Sequence, residues 1–202
     1  MGYGLIAPVG KLANVISIIE STTGLMVFAI ITGLLYGRFS KPSMRLLFSK
    51  NALISPYKNG WALMFRVINL RQSILLEMNA NVALTMHKKE NNQNVRKYYR
   101  LKLEIDRIEF FPASWTLVHP INEDSPFHDM DLQNLNSQDV EIIIQLKGFD
   151  DTFSQHVHSR SSYLQNEIIV GGKFNPAFEI NEMGEIIVPI HKFHDFEQVD
   201  YP

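Results

Sequence analysis

From Val15 to Tyr36 the chain reads VISIIESTTGLMVFAIITGLLY, 22 residues with one charged side chain, Glu20. At about 1.5 Å per residue this run spans roughly 33 Å, enough to cross a hydrocarbon core of roughly 30 Å. A chain holding such a segment must bury it inside a large apolar core or place it in a membrane. A cleaved leader does not fit, because the run is too long and no small-residue cleavage site follows it. Nor is the Met1-Gly2 start a myristoylation signal, since position 6 is Ile6. The flanks favour a membrane. Arg38, Lys41, Arg45 and Lys50 follow the run, against Lys11 before it. By the positive-inside rule everything after Arg38 is cytoplasmic.

Charge is divided along the chain. Residues 1–50 hold five basic side chains and one acid; subtraction from the totals of 19 and 21 leaves 14 basic and 20 acidic side chains, a balance of −6, for residues 51–202. A short basic, apolar head on an acidic body suits a membrane rather than nucleic acid. Basic residues at a membrane exit also attract anionic lipid headgroups, at about 1 kcal/mol per charge. The same residues set topology without any lipid specificity. The sequence has no cysteine, so disulfides and thiolate metal sites are excluded.

On a helical wheel Ser21, Leu25, Phe28, Thr32 and Tyr36 fall in a stripe about 80° wide. This mixed polar and aromatic stripe is open to two readings. It lines a water-filled path with Phe28 and Tyr36 as constrictions, or it packs against other helices with no path at all. Gly33 and Gly37 form a small-xxx-small pair that permits close helix approach. Glu20 lies about 80° off the stripe. An ionisable group at membrane depth is costly, which makes Glu20 a functional candidate.

After Asn51 the pattern changes to short alternating runs. Ile74 to Met86 places Leu76, Met78, Ala80, Val82, Leu84 and Met86 on one face and Leu75, Glu77, Asn79, Asn81, Ala83 and Thr85 on the other. That is a half-buried strand. Further strands are expected at Ala62–Asn69, Tyr98–Phe110, Ser114–Pro120, Val140–Lys147, Thr152–Ser159, Lys173–Ile180 and Glu185–Val188, with one short helix around Asp129–Asn136. Many short strands with regular turn-rich breaks imply an all-β sandwich.

Several features suggest catalysis without supporting it. His156-x-His158 and His191-x-x-His194 have ligand-like spacing but no third ligand cluster nearby. Ser161-Ser162 has no recognisable base or nucleophile elbow. Asp150-Asp151 reads as a solvated turn. The sequence therefore predicts no enzyme and no cofactor.

A family resemblance rests on particular stretches. Asn51-Ala-Leu-Ile, Leu63-Met-Phe-Arg-Val-Ile-Asn-Leu-Arg71 and Leu76-Glu77 resemble the opening of the cytoplasmic domain of inward-rectifier potassium channels. Phe111-Pro-Ala-Ser-Trp-Thr-Leu-Val-His-Pro-Ile-Asn-Glu-Asp-Ser-Pro126 is the most specific match. Glu141-Ile-Ile-Ile, Arg160-Ser-Ser-Tyr163 and Val199-Asp-Tyr201 add to it, and Tyr36-Gly-Arg-Phe-Ser-Lys-Pro42 resembles the inner-helix end and its tether. The bacterial branch is the more similar one.

The resemblance implies one transmembrane inner helix followed by an immunoglobulin-like β-sandwich. It divides the chain into a filter end and extracellular loop (1–13), inner helix (14–38), basic tether (39–50) and cytoplasmic domain (51–202). It implies a homotetramer, or co-assembly with full-length subunits, around a path for K+ as permeant ion, in a bacterial inner membrane. Gly2, Tyr3 and Gly4 match filter positions, where backbone carbonyls replace the ion's water shell; Glu20 is the candidate for supporting that filter. Phe28, Thr32 and Tyr36 become pore and gate positions, with Phe28 where some eukaryotic members carry a polyamine-binding acid. Arg38, Lys41 and Arg45 match a stretch that contacts anionic phospholipid. Glu77 matches an acid lining the cytoplasmic vestibule, and Lys147 replaces a second such acid. Phe149, Asp150 and Asp151 fall in the loop at the vestibule apex. The slide helix, outer helix and pore helix of a complete subunit are not in this sequence, so it is expected to be the C-terminal part of one, with a non-conducting membrane-anchored regulatory module as the alternative.

Overall fold

The computed structural model describes residues 4, 7–40, 42–71, 73–90, 93–128, 130–132, 139–180, 184 and 186–200. The chain divides into two compact units, Met1–Lys41 and Pro42–Pro202. The first unit is built on α1, Lys11–Phe39. None of its residues is buried. In water such a helix would expose an apolar surface all round; a helix of this kind belongs in lipid or inside other protein. Three of its hydroxyls are satisfied by the preceding turn. Ser21 donates to the Ser17 carbonyl (2.6 Å), Thr22 to Ile18 (2.8 Å) and Thr32 to Phe28 (2.8 Å). Polar groups in hydrocarbon need internal partners of this kind.

The second unit is a large, mainly antiparallel β domain. Its strands are β1 (Leu46–Phe48), β2 (Ala52–Tyr57), β3 (Gly60–Asn69), β4 (Leu75–Glu90), β5 (Gln93–Leu101), β6 (Arg107–Phe110), β7 (Trp115–Ile121), β8 (Glu141–Asp150), β9 (Gln155–Leu164), β10 (Ile168–Val170), β11 (Gly172–Phe174), β12 (Glu179–Ile180), β13 (Ile186–Ile187) and β14 (Phe196–Gln198). One five-stranded sheet runs β1-β3-β2-β10, with β7 also on β3; the other runs β5-β4-β8-β9, with β6 also on β4. The β10–β2 pairing is parallel. A single buried cluster draws on both sheets, with Leu63, Phe65 and Val67 from β3, Met78, Val82 and Leu84 from β4, and Ile142, Ile144 and Leu146 from β8. Burying each such side chain contributes about 1.5–3 kcal/mol. Alternate residues of β8 point inward, which is why Glu-Ile-Ile-Ile-Gln-Leu-Lys reads as a strand buried on one face.

Three sequence expectations change. The strand expected over Tyr98–Phe110 is two strands, β5 and β6. Between them the chain crosses to the other sheet, where the Glu104 N–H donates to the Val118 carbonyl (2.9 Å). Lys173–Ile180 divides into β11 and β12 around Pro176, which has no N–H for a ladder. The strand expected from Thr152 begins at Gln155, because residues 151–154 form a turn with Ser154 at φ 50°. Of the helix expected around Asp129–Asn136, Asp129 and residues 133–136 lie outside the described residues, as do Gly2, Tyr3 and Lys41.

Candidate functional site

The face assignment along β4 is also corrected, and the correction builds a site. Leu75 is buried and Leu76 only half-buried, opposite to simple alternation. The reason is a β-bulge. Leu76 pairs with Phe149 and Asn79 with Lys147, so Glu77 and Met78 together oppose Gly148 alone. One extra residue reverses the faces before it. Glu77 carries the bulge at φ 48°, a left-handed conformation that most non-glycine residues resist. The Asn79 side-chain amide donates to the Glu77 carbonyl (2.9 Å) and steadies it. Gly148 is required opposite. A Cβ there would collide with the Met78 sulfur and lie 3.1 Å from the Leu76 carbonyl oxygen.

This bulge brings together residues about seventy positions apart. Glu77 is exposed, Phe149 is half-buried and stacks edge-on with His156 (ring centroids 5.4 Å apart), and Asp151 is exposed in the turn that follows. Asp150 differs from the solvated reading. It is 1% exposed, and its carboxylate accepts the Phe153 N–H (3.3 Å), closing the β8–β9 turn. Of the Asp150-Asp151 pair, only Asp151 presents charge to solvent. The remaining expected site residues lie elsewhere. Glu20, Phe28, Thr32, Tyr36 and Arg38 are on α1, and Arg45 is exposed just before β1. Gly4 is exposed ahead of α1.

The stretches that carried the resemblance turn out to hold the domain together. The His119 Nδ1–H donates to the Lys102 carbonyl (2.7 Å), which leaves Nε2 to accept from the Ser125 hydroxyl (2.8 Å). Ser125 Oγ in turn accepts the Phe127 N–H (3.2 Å). Burial pushes the His119 imidazole below its ordinary pKa, against the Lys102 carbonyl bond, which raises it. A neutral histidine fixed on both sides is a brace between β7 and the loop after it. Tyr163 plays the same part between sheets. Its hydroxyl donates to the Ser49 carbonyl (2.8 Å), and burial raises its pKa. Sequence reading singled out the segments containing His119, Ser125 and Tyr163 but not these bonds. It also missed Arg66, which is 7% exposed with its guanidinium 4.5 Å from the Phe174 ring centroid. Burial lowers the Arg66 pKa to about 10.

Among the described residues no group of three or more His, Asp or Glu side chains converges. His194 Nδ1 instead accepts the Lys50 backbone N–H (3.2 Å).

The chain thus joins an apolar helix of membrane-spanning length to a two-sheet β domain that carries a strained acidic bulge. Comparison with known proteins makes the class specific. The family described as the inward rectifier potassium channel C-terminal domain matches residues 46–202. The inward rectifier potassium channel Kirbac3.1 of Paramagnetospirillum magnetotacticum is 33% identical over 201 residues, 98% of this chain and 68% of that protein. ATP-sensitive inward rectifier potassium channel 12 of Gallus gallus is 29% identical, and G protein-activated inward rectifier potassium channel 4 of Bos taurus 28%. The chain spans about half the length of these two, 48% and 50%. The chain belongs to the inward rectifier potassium channel family. It is a membrane-anchored protein with its C-terminal domain on the cytoplasmic side.

Proposed function

We propose that the chain is the C-terminal part of a subunit of a tetrameric potassium channel whose passive K+ transport is gated through the cytoplasmic domain and by lipid. In this reading α1 is the inner helix, with Phe28, Thr32 and Tyr36 toward the ion path and Glu20 supporting a filter that ends in Gly2, Tyr3 and Gly4. Arg38, Lys41 and Arg45 meet anionic phospholipid. The two sheets form an immunoglobulin-like β-sandwich, and Glu77, Phe149 and Asp151 line the cytoplasmic vestibule.

The observation that carries this reading is continuity. A relative with inward-rectifier identity aligns through the helix and the β domain together, over 98% of this chain. The bulge supports it independently. A glutamate held at φ 48°, with Asn79 bonded to its carbonyl, is strain that packing alone gives no reason to keep. Four acidic domains around one axis would concentrate cations at the inner mouth.

The test is a chimera in which residues 7–202 replace the homologous stretch of the magnetotactic relative. The expected result is K+ flux from liposomes, selective over Na+. A chimera that assembles as a tetramer yet passes no K+ would refute the reading.

A further inference from the structure

The outer face of the β1-β3-β2-β10 sheet buries a positive charge. Phe65 and Val67 of β3 belong to the core, so Arg66 between them points to the opposite face. On β2 that face carries Leu53 and Ser55, because Ala52 and Ile54 are the core residues of that strand. A face open to water would suit an arginine, but this one is covered. Leu53, Ser55 and Arg66 are 0%, 1% and 7% exposed. Arg66 Nε and Nη1 are buried with no hydrogen-bond partner. Among the described residues no ion pair engages the side chain. The Phe174 ring, 4.5 Å away, offers a cation–π contact but no acceptor atom.

The cover is made by β11, β14 and the 3₁₀ turn Ile190–Lys192 with Phe193. Among the described residues β11 and β14 pair only with each other. A two-stranded ribbon is marginal by itself, so its order depends on what holds it down. Phe193 is fully buried. Gly172 lies close on Leu53, where an added Cβ would come within 3.1 Å of Leu53 and 3.2 Å of Phe196. The Ser55 hydroxyl donates to the Gly172 carbonyl. The Lys50 N–H donates to His194 Nδ1 (3.2 Å), and the Gln198 side-chain amide to the Val170 carbonyl (3.2 Å). The chain leaves β10 for this cover at Gly171, whose φ of 74° is open to glycine and resisted by other residues.

Against these contacts stands the guanidinium. Closing the cover strips water from it and supplies no acceptor in exchange, and burying an unpaired charge is costly. Opening returns the water. We propose that β11, β14 and the turn before β14 form a strap that lifts from the β2–β3 face as a unit while the two sheets stay folded, and that unpaired Arg66 keeps it releasable. Lifting hydrates Arg66 and uncovers Leu53, Phe174 and Phe196. The device lies within the β domain, so it does not depend on whether four chains enclose an ion path.

The test is amide hydrogen exchange of the full chain in neutral-lipid nanodiscs, read by mass spectrometry. Amides of β11 and β14 are expected to exchange at least about tenfold faster than those of β4 and β8, the mark of local opening. R66M keeps the length of the side chain and removes its charge, and is expected to slow exchange in β11 and β14 about tenfold. A second readout uses the absence of cysteine from the sequence. The S55C thiol sits beneath the strap and is expected to react with a maleimide in the folded chain, about tenfold more slowly when R66M is added. If Arg66 instead helps to hold the cover down, R66M exchanges faster or fails to fold, and either result would overturn the proposal. So would unchanged exchange in R66M, exchange in β11 and β14 as slow as in β4 and β8, or an S55C thiol that reacts only after denaturation.

Discussion

The helix and the β domain both expose large apolar side chains, and exposure means different things in the two. On α1, Ile30 is 54% and Leu34 70% exposed, and no residue anywhere on the helix is buried. On the β domain, Tyr98 is 68% exposed, but on a strand whose sheet contributes to a dense core. The first pattern requires an apolar solvent. The second is the ordinary residue of a water-facing surface, where scattered exposed apolar groups are normal. One chain is therefore built for two solvents, and the boundary between its units at Lys41 and Pro42 is the change of solvent.

The largest expected effect sharpens this contrast directly. Ile30→Lys, placed opposite the Phe28–Tyr36 stripe, should cost about 3 kcal/mol of membrane insertion. Tyr98→Lys, at greater exposure, should change the stability of the domain by no more than about 0.5 kcal/mol. Glycosylation mapping reads the first and denaturant unfolding the second. Equal, small effects would mean that α1 does not sit in lipid.

A smaller effect lies inside the β domain. Gly148→Ala drives a methyl group into the bulge, where Met78 is fully buried and the Leu76 carbonyl cannot retreat without breaking the β4–β8 ladder. The expected loss is about 1–3 kcal/mol, measured as a lower denaturant midpoint. An unchanged midpoint would mean that the bulge relaxes freely and that Glu77 is not held in place by it.

The smallest effect is on pH. His119 is held neutral by burial, so its folded pKa lies below its unfolded one. Above the ordinary histidine pKa of about 6.5 both states are neutral and the group contributes no pH dependence. Below it the unfolded chain takes up a proton that the folded chain refuses, and stability falls. Denaturation of the full chain in detergent, followed by Trp61 and Trp115 fluorescence at pH 7.5 and 5.5, should show this loss, and H119Q should reduce the slope. Partial burial of His194, with the Lys50 charge nearby, adds a term of the same sign.

Much of this architecture was legible in the residues, for identifiable reasons. The helix announces itself because length and apolarity act over 22 consecutive residues. β7 and β8 are legible because their alternation survives along one buried face. β1, β10 and β14 are three residues long, too short for any period to register. The faces of Leu75 and Leu76 were misassigned because a bulge reverses parity without any glycine in β4 to mark it; the glycine is across the ladder at Gly148. Tyr98–Phe110 looked continuous because its interruption comes from a bond to β7, a partner far along the chain. Glu77 and Asp151 were found through resemblance, and the φ of Glu77 is a separate reason to single it out.

The central claim is that the helix and the β domain serve one ion path, with the strained acidic end of β4 facing it. Single-channel recording of the chimera at low ionic strength tests this most directly. Replacing Glu77 with Gln together with Asp151 by Asn should lower the K+ conductance, and added salt should narrow the difference as it screens the charges. A conductance unchanged at every ionic strength would contradict the account.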